Sequence, residues 1–183
     1  MLKVNCGAGD YKLPGWTNVD ADPAFAPDVL HDLSQGLPFA DASVDFLHSE
    51  DFLSCLPDIA AVRTFLREAR RVLRPAGTMR LLVPSLERLI ERYQCDPAGL
   101  VAHWNRAVGL PLVPETAGML VNQALKLNPG FFFDRPTLTL LLEEAGFAWL
   151  ELGFGESRHA ELRGIDLRRP EESVSVYYEC VPH

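Results

Sequence analysis

The stretch LKVNCGAGDYKLPGWTNVD, residues 2–20, contains two short apolar runs separated by a glycine-rich turn. Leu2–Asn5 and Thr17–Asp20 each have the length and character of a buried strand. Only Cys6–Trp16 lie between them, close to the dozen or so residues that a parallel crossover needs. Because a proline disfavours helix in the residue before it, Pro14 limits any helix here to about one turn. We therefore predict two parallel strands whose crossover helix is short or absent.

The remaining sequence alternates between strand-like and helix-like segments. Residues 44–49 and 79–83 are predicted strands, and residues 59–73 have apolar side chains at the helical period. Two late segments, 147–154 and 173–180, are also predicted strands, but a long loop separates them where a helix would be expected. The pattern predicts an α/β domain with a mainly parallel sheet and an antiparallel hairpin at one edge.

Composition and charge exclude several classes of protein. A chain of 183 residues is predicted to form one domain. The net charge of −8, without a long basic stretch, argues against a protein that binds nucleic acid by neutralising phosphates. The sequence has no apolar run long enough to span a membrane, and its first residues already resemble a strand rather than a signal peptide. We therefore expect a cytoplasmic protein that does not bind membranes.

The four cysteines are Cys6, Cys55, Cys95 and Cys180. They are widely spaced and form no CxxC pair, which argues against a zinc site and against a disulfide framework. We therefore expect no bound metal, and the cysteine pattern is compatible with a reducing cytoplasm.

The glycine turn has the features of a ligand-binding turn. Gly7 and Gly9 would let the backbone approach a ligand closely, and the N–H groups of the turn could bind an oxygen-rich group. Asp20, at the end of the second strand, could accept both hydroxyls of a ribose. The dinucleotide fingerprint needs a third glycine where this chain has Lys12, which argues against NAD. From these residues alone, a tight turn without a ligand stays an equal alternative.

The chain resembles a subgroup of the class I S-adenosylmethionine (SAM) dependent methyltransferases, the small methyltransferases similar to type 11. The resemblance begins with Val4-Asn5-Cys6-Gly7 and the run from Gly15 to Asp20, GWTNVD. It continues in the same order through residues 32–50, 65–93, 131–147 and 153–180, and thus covers essentially the whole chain.

The resemblance implies a fold and a function. The fold would be a Rossmann-like sheet of about seven strands in a single domain, residues 1–183, with a helical insert near residues 95–130 that covers the substrate. The cofactor would be SAM, and a methyl group would pass to an unidentified small-molecule or sugar acceptor. A homodimer is a further expectation, and the alternative function is a non-catalytic protein that binds SAM or a nucleotide and keeps the fold.

The resemblance also implies which residues contact SAM. The first turn would line the methionine end, Asp20 and Ala21 would hold the ribose, and Asp32 and Leu33 would flank the adenine. The residues at the end of the fourth strand would face the reacting end. The implied cofactor residues are Asn5, Cys6, Gly7, Ala8, Gly9, Asp20, Ala21, Asp32, Leu33, Ser49 and Glu50.

The candidate catalytic residues are Asp51 and His103. Related sequences often carry Glu-His-Val-Leu-Glu-His-Leu after the fourth strand, whereas residues 50–56 of this chain are EDFLSCL. If a histidine of that motif acts as a base in relatives, its role falls here to Asp51 or another group, or is absent. His103 lies in the irregular insert and is a second candidate base.

Two further histidines, His48 and His159, are not candidate catalytic residues. His48 lies between apolar residues in a predicted strand, and we expect it to be structural. His159 lies with Arg158 and Arg163 in the loop before the last strand. We expect that loop to be solvated, with closure over a substrate as the alternative.

Overall fold

The computed structural model describes residues 1–107, 114–127 and 131–183. In this part of the chain, seven strands form one sheet flanked by helices. The strands are β1 (Lys3–Cys6), β2 (Thr17–Asp20), β3 (Val29–Leu30), β4 (Val44–Glu50), β5 (Leu73–Pro84), β6 (Phe147–Leu152) and β7 (Ser175–Pro182). The helices are α1 (Ile59–Val72), α2 (Leu86–Cys95), α3 (Pro97–Ala107), α4 (Ala117–Leu127) and α5 (Arg135–Glu144).

The strand order is β3-β2-β1-β4-β5-β7-β6. Strands β1 to β5 run parallel, and β7 runs antiparallel to both β5 and β6. The predicted α/β fold, with a mainly parallel sheet of about seven strands and a C-terminal antiparallel hairpin, is confirmed. The direction of strand order reverses at β1 and β4, so a crevice is expected at the carboxyl ends of these two strands.

The first crossover contains no helix, as the sequence predicted. Residues 7–16 form turns that are held by two buried asparagines. The Asn5 amide donates to the Tyr11 carbonyl (3.0 Å) and to Asn18 Oδ1 (3.1 Å), and the Leu13 N–H donates to Asn18 Oδ1 (2.9 Å). These side chains satisfy backbone groups that a helix would have satisfied internally.

Strand β5 differs from the prediction at its start. The sequence RPAG at residues 74–77 has typical helix stop signals, and the strand was predicted to begin only at residue 79. The structure instead has a continuous strand from Leu73, but its register against β4 shifts between Val44 and Phe46. Leu73 pairs with Val44, whereas Phe46 pairs with Thr78, so the extra residues are accommodated as an irregularity in the ladder.

One face of the sheet is apolar and is covered by helices α1 and α5. Helix α1 begins at the cap Asp58, whose carboxylate accepts from the Ala61 N–H (2.9 Å). Its buried face packs with inward-facing strand residues, among them Val4 and Leu47, in one core. The buried residues of α1 are Val62, Phe65, Leu66, Ala69 and Val72, and this spacing is the helical period that the sequence showed.

The other face of the sheet carries buried polar side chains. Because side chains alternate along a strand, the residues next to the apolar ones point to this face. They are Asn5 in β1, Asn18 in β2, His48 in β4, Arg80 in β5 and Glu179 in β7. Two loops contact these residues, residues 7–16 and residues 153–174. A small apolar cluster of Leu13, Trp16, Phe46 and Leu162 fills the space between loops and sheet.

A buried ion pair ties the second loop to the sheet. Arg80 Nε donates to Asp166 Oδ1 (3.0 Å) and Arg80 Nη2 donates to Asp166 Oδ2 (2.5 Å), and both side chains are fully buried. The same guanidinium donates to the Gly153 carbonyl (2.9 Å), and the Gly155 N–H donates to Asp166 (2.8 Å). The pair thus fixes both ends of residues 153–166 against β5.

The loop makes further contacts with the sheet. The Ser157 hydroxyl donates to Glu179, and Thr78 Oγ1 lies 3.1 Å from His159 Nε2. The His159 ring also packs edge-on against Phe46. The expectation of a solvated loop is correct for Arg158 and Arg163, which are exposed, and wrong for His159.

Helices α2, α3 and α4 form a separate helical cluster beyond β5. Helix α2 begins after Ser85, whose hydroxyl accepts from the Arg88 N–H (3.2 Å). Helices α3 and α4 lie within the helical insert predicted near residues 95–130. Residues 108–113 and 128–130 of that insert lie outside the described residues. None of the helices in the described ranges is both long and apolar enough to cross a membrane.

We predict that Asp166→Asn lowers the free energy of unfolding by about 3–5 kcal/mol, because the Arg80 charge stays buried without its anion. The matched control is Glu144→Gln, which breaks the exposed Arg63–Glu144 pair (2.9 Å) and should cost less than about 1 kcal/mol. Urea denaturation of both variants checks this. Equal losses in the two variants would contradict the assigned role of the buried pair.

Candidate active site

A cavity of about 400 Å³ lies at the carboxyl ends of β1, β2 and β4. This is the crevice expected where the strand order reverses. Its volume lies within the usual range of small-molecule sites, roughly 300–1,000 Å³. The residues that line it are Asn5, Gly7, Ala8, Gly9, Asp10, Tyr11, Asp20, Ala21, His31, Asp32, Leu33, His48, Glu50, Asp51, Phe52, Cys55, Leu167 and Arg168.

The two glycines of the first turn, Gly7 and Gly9, have different surroundings. Both have positive φ, +66° at Gly7 and +50° at Gly9, a conformation that favours glycine. A Cβ atom on Gly7 would lie 2.4 Å from Cδ2 of Phe52, so this glycine lets Phe52 pack against the turn. A Cβ atom on Gly9 would meet nothing within 4 Å, so Gly9 faces open space in the cavity wall.

The N–H groups of this turn are already bonded. The Ala8 N–H donates to the Val19 carbonyl (3.0 Å), and the Gly9 N–H donates to Asp20 Oδ2 (2.8 Å). The expectation that these N–H groups are free to bind an oxygen-rich ligand is therefore wrong at both positions. The second bond instead fixes the Asp20 carboxylate beside the turn, and its other oxygen accepts from the Asp22 N–H (2.9 Å).

A second acid follows β3 in the same cavity. Asp32 caps a short 3-10 turn, and its carboxylate accepts from the Ser34 N–H (2.9 Å). The hydrogen bonds from Ser34 hold the pKa of Asp32 below its ordinary value. The carboxylates of Asp20 and Asp32, with Ala21 and Leu33 beside them, thus form one side of the cavity.

Most of the residues that the sequence assigned to the cofactor lie together on this cavity. Cys6 and Ser49 do not, and the assignment of these two side chains is corrected. Cys6 is fully buried in the apolar core, and burial raises the pKa of its thiol to about 12. Ser49 is also fully buried, and side-chain alternation places both residues on the apolar face of the sheet. The residues that do line the cavity are Asn5, Gly7, Ala8, Gly9, Asp20, Ala21, Asp32, Leu33 and Glu50.

His48 connects the sheet to the floor of the cavity. Its Nδ1 lies 2.9 Å from Asn5 Oδ1, which can only accept, so Nδ1 carries the proton and Nε2 is unprotonated. Burial is the main cause that lowers the pKa of His48 to about 4; the Asp166 charge opposes this shift and the Arg80 charge contributes to it. The 3.5 Å approach of Nε2 to Glu50 is therefore not an ion pair at neutral pH. The histidine has the structural role that we expected, and it also lines the cavity.

Glu50 holds the long loop at the cavity. Its carboxylate accepts from the N–H groups of Leu167 (3.0 and 3.1 Å) and Arg168 (2.6 Å). Burial raises the pKa of Glu50 to about 7, although these two hydrogen bonds act in the opposite direction. Glu50 lines the cavity, but its carboxylate is engaged with the loop.

Asp51 is the first residue after β4, and its carboxylate is held by Arg168 of the long loop between β6 and β7. Its backbone φ is +56°, which is uncommon for a residue other than glycine. Arg168 Nε donates to Asp51 Oδ2 (2.7 Å), whereas Oδ1 is buried and has no partner among the described residues. Burial raises the pKa of Asp51, and the Arg168 charge opposes that effect.

A second cavity, of about 210 Å³, adjoins the first. Asp51 and Arg168 line both cavities, so the two meet at this ion pair. His103 of α3 lines the second cavity, which places both candidate catalytic residues on its wall. The complete lining is Asp51, Pro84, Leu89, Arg92, Leu100, His103, Trp104, Phe132, Arg168, Glu172, Ser173, Val174 and Ser175.

Comparison with known proteins finds the same fold. Residues 16–81 match the sequence model of the methyltransferase domain family. A SAM-dependent methyltransferase of Thermotoga maritima, described as a possible histamine N-methyltransferase, superposes with a TM-score of 0.61 at 19% identity, over 100% of this chain and 82% of that one. A SAM-dependent methyltransferase of Aquifex aeolicus gives 0.54 at 13%, over 99% and 81%. The mitomycin 7-O-methyltransferase gives 0.61 at 14%, over 100% of this chain and 49% of its own. A search of curated proteins finds no significant match.

The chain has the class I methyltransferase fold. The family resemblance that the sequence indicated is thereby confirmed. Compared with the pattern expected for this fold, the chain lacks a helix between β1 and β2 and carries a long loop between β6 and β7.

Sequence reasoning missed eight residues that line the first cavity, which are Asp10, Tyr11, His31, His48, Phe52, Cys55, Leu167 and Arg168. Asp10 and Tyr11 follow the glycine turn, and Leu167 and Arg168 come from the long loop. Tyr11 also joins the two loops, because its hydroxyl donates to the Ile165 carbonyl (3.1 Å). The sequence signal that could have located the loop residues is the run Ile165-Asp166-Leu167. In this run an acid lies between two apolar residues, in a segment that is otherwise rich in charge.

We predict that Glu50 makes stability depend on pH. Because its pKa is raised from 4.5 to about 7, the folded state keeps a proton that the unfolded state releases between these values. Its stabilising contribution is therefore complete below pH 4.5 and is lost as pH rises through 7, a change of roughly 3 kcal/mol.

Glu50→Gln removes this titration. The difference in unfolding free energy, wild type minus variant, should fall by about that amount between pH 4.5 and 7.5 in urea denaturation. His48 has a lowered pKa and contributes in the opposite direction, but it is present in both proteins and cancels. A difference that stays constant across this range would contradict the buried environment assigned to Glu50.

Proposed function

We propose that this chain transfers a methyl group from SAM, bound in the first cavity, to a small-molecule acceptor bound in the second. The observation that carries the proposal is the meeting of the two cavities at Asp51 and Arg168. A methyltransferase must bring two ligands together and exclude water from the point where they react.

The chemistry of the first cavity suits SAM, which carries an ammonium, a carboxylate, a ribose diol and an adenine. The fixed carboxylate of Asp20 can accept from the diol, with Ala21 beside it. Asp32 and Leu33 can flank the adenine, and the open space at Gly9 leaves room for the ligand along the turn.

The methionine end of SAM needs partners of both charges. Since the N–H groups of the first turn are engaged, the guanidinium of Arg168 is the cation of the cavity wall that can pair with a carboxylate. Asp10 is an acidic group of the same wall that suits the ammonium, whereas the Glu50 carboxylate is engaged with the long loop. Asn5 also lines the cavity, but its amide is used to hold the turn and His48.

SAM, when bound, supplies an electrophilic methyl group and needs little covalent help from the protein. The residues of this chain then have to hold the acceptor and receive its proton. Asp51 Oδ1 is the candidate proton acceptor, because it is buried, has no partner among the described residues and lies where the cavities meet. Arg168 positions this carboxylate through its other oxygen, and His103 is a second candidate base on the same cavity.

The helical insert near 95–130 is proposed to cover the acceptor. Three residues of α3, Leu100, His103 and Trp104, line the second cavity, which supports this assignment. The organisation as one domain, a cytoplasmic location and association into a homodimer are the remaining expectations of the proposal.

We predict that the chain binds SAM and S-adenosylhomocysteine with micromolar affinity in calorimetry. Asp20→Ala should weaken both by roughly 10- to 100-fold, the usual cost of losing hydrogen bonds to a charged group. The control is Asp41→Ala, which removes an exposed carboxylate that pairs with Arg71 outside the cavity.

Two other outcomes are informative. Absence of binding to either ligand would contradict the proposal. Binding of SAM without methyl transfer across a broad panel of acceptors would instead identify a binding protein that keeps the methyltransferase fold.

A further inference from the structure

Most of the wall area of the second cavity is apolar, although Asp51, Arg92, His103, Arg168 and Glu172 also line it. The apolar side chains come from β5, from helices α2 and α3, and from the segments that precede α5 and β7. They are Pro84, Leu89, Leu100, Trp104, Phe132 and Val174. A sugar presents hydroxyl groups on all sides and loses hydrogen bonds to water when it enters such a site. The walls therefore favour an apolar acceptor over a carbohydrate.

The cavity is large enough for one ring. Its volume is about 210 Å³. An apolar cavity of about 150 Å³ accommodates benzene, so one substituted aromatic ring fits this space. Two aromatic side chains, Trp104 and Phe132, are available to pack against such a ring.

Two buried polar atoms belong to residues that line this cavity and have no partner among the described residues. Trp104 Nε1 is a donor, and Asp51 Oδ1 is an acceptor when ionised. Buried polar groups are normally hydrogen-bonded, and each orphan in a native structure calls for an explanation. A hydroxyl group on a ring can act as both an acceptor and a donor, and so could satisfy atoms of both kinds.

We infer that the acceptor is a single-ring aromatic compound with a hydroxyl group, a phenol. This inference rests on the proposed function and deepens it, since it names the substrate class of the second cavity. In the transfer, the phenol oxygen gives its proton to Asp51 Oδ1 and forms a bond to the methyl carbon. The electron pair of the broken carbon–sulfur bond stays on the sulfur of the donor. The products are an aryl methyl ether and a neutral thioether.

The test is a calorimetric titration of the protein saturated with S-adenosylhomocysteine, with phenol and methyl β-D-glucoside as probes. We expect phenol to bind in the millimolar range that suits so small a ligand, and the glucoside not to bind. Val174→Phe should fill the cavity and weaken phenol binding by about tenfold or more.

The matched control is Val121→Phe. Val121 packs against the same helical cluster but does not line the second cavity, so phenol affinity should stay within about twofold of wild type. Equal losses in the two variants would overturn the inference.

A second measurement does not depend on Val174→Phe folding. In wild-type protein, the indole N–H resonance of Trp104, identified by its loss in Trp104→Phe, should shift on titration with phenol. An unmoved resonance, or a shift produced by the glucoside and not by phenol, would overturn the inference. The proposed function would then still stand if S-adenosylhomocysteine binds. Failure of S-adenosylhomocysteine to bind would overturn both.

Discussion

The architecture of the site depends on the buried ion pair between Arg80 and Asp166. A buried guanidinium and carboxylate are costly to desolvate, and they are tolerated here because the geometry is bidentate and each group makes a further hydrogen bond. Arg80 Nη1 is buried and has no partner among the described residues. Asp166 directly precedes the two residues whose N–H groups bind Glu50. The second of these, Arg168, also holds Asp51. One pair on β5 therefore sets the position of a wall shared by both cavities.

This arrangement explains how the sheet is covered although there is no helix between β1 and β2. A helix would present an apolar stripe to the sheet, whereas here two loops cover that face, and their backbone groups need hydrogen-bond partners from side chains. The sheet accordingly carries Asn5, Asn18, His48 and Arg80 at positions that alternate with apolar core residues. These side chains bond to the loops, and the loops in turn line the first cavity. The polar side chains on this face of the sheet are thus the hydrogen-bond partners that the loops require in place of a helix.

The sequence was sufficient to predict the parts of the fold that depend on local patterns. Apolar runs located the strands, Pro14 indicated the missing helix, and Gly7, Gly9 and Asp20 do meet at one crevice. Cys6 was misassigned because a residue in a turn motif can still point into the core when it ends a strand. Arg168 was missed for a different reason. Its partner Asp51 lies 117 residues away, and the loop that carries it is placed by a pair separated by 86 residues. Such contacts leave no periodic signal.

The central claim is that the long loop completes a SAM site whose other side is the glycine turn and Asp20. A crystal structure of the chain with S-adenosylhomocysteine tests this most directly. The account predicts the ribose hydroxyls at the Asp20 carboxylate and the amino-acid end beside Arg168, with Asp166 still bound to Arg80. A ligand bound elsewhere, or a ligand seated in the crevice with residues 153–168 displaced from the sheet, would contradict the account.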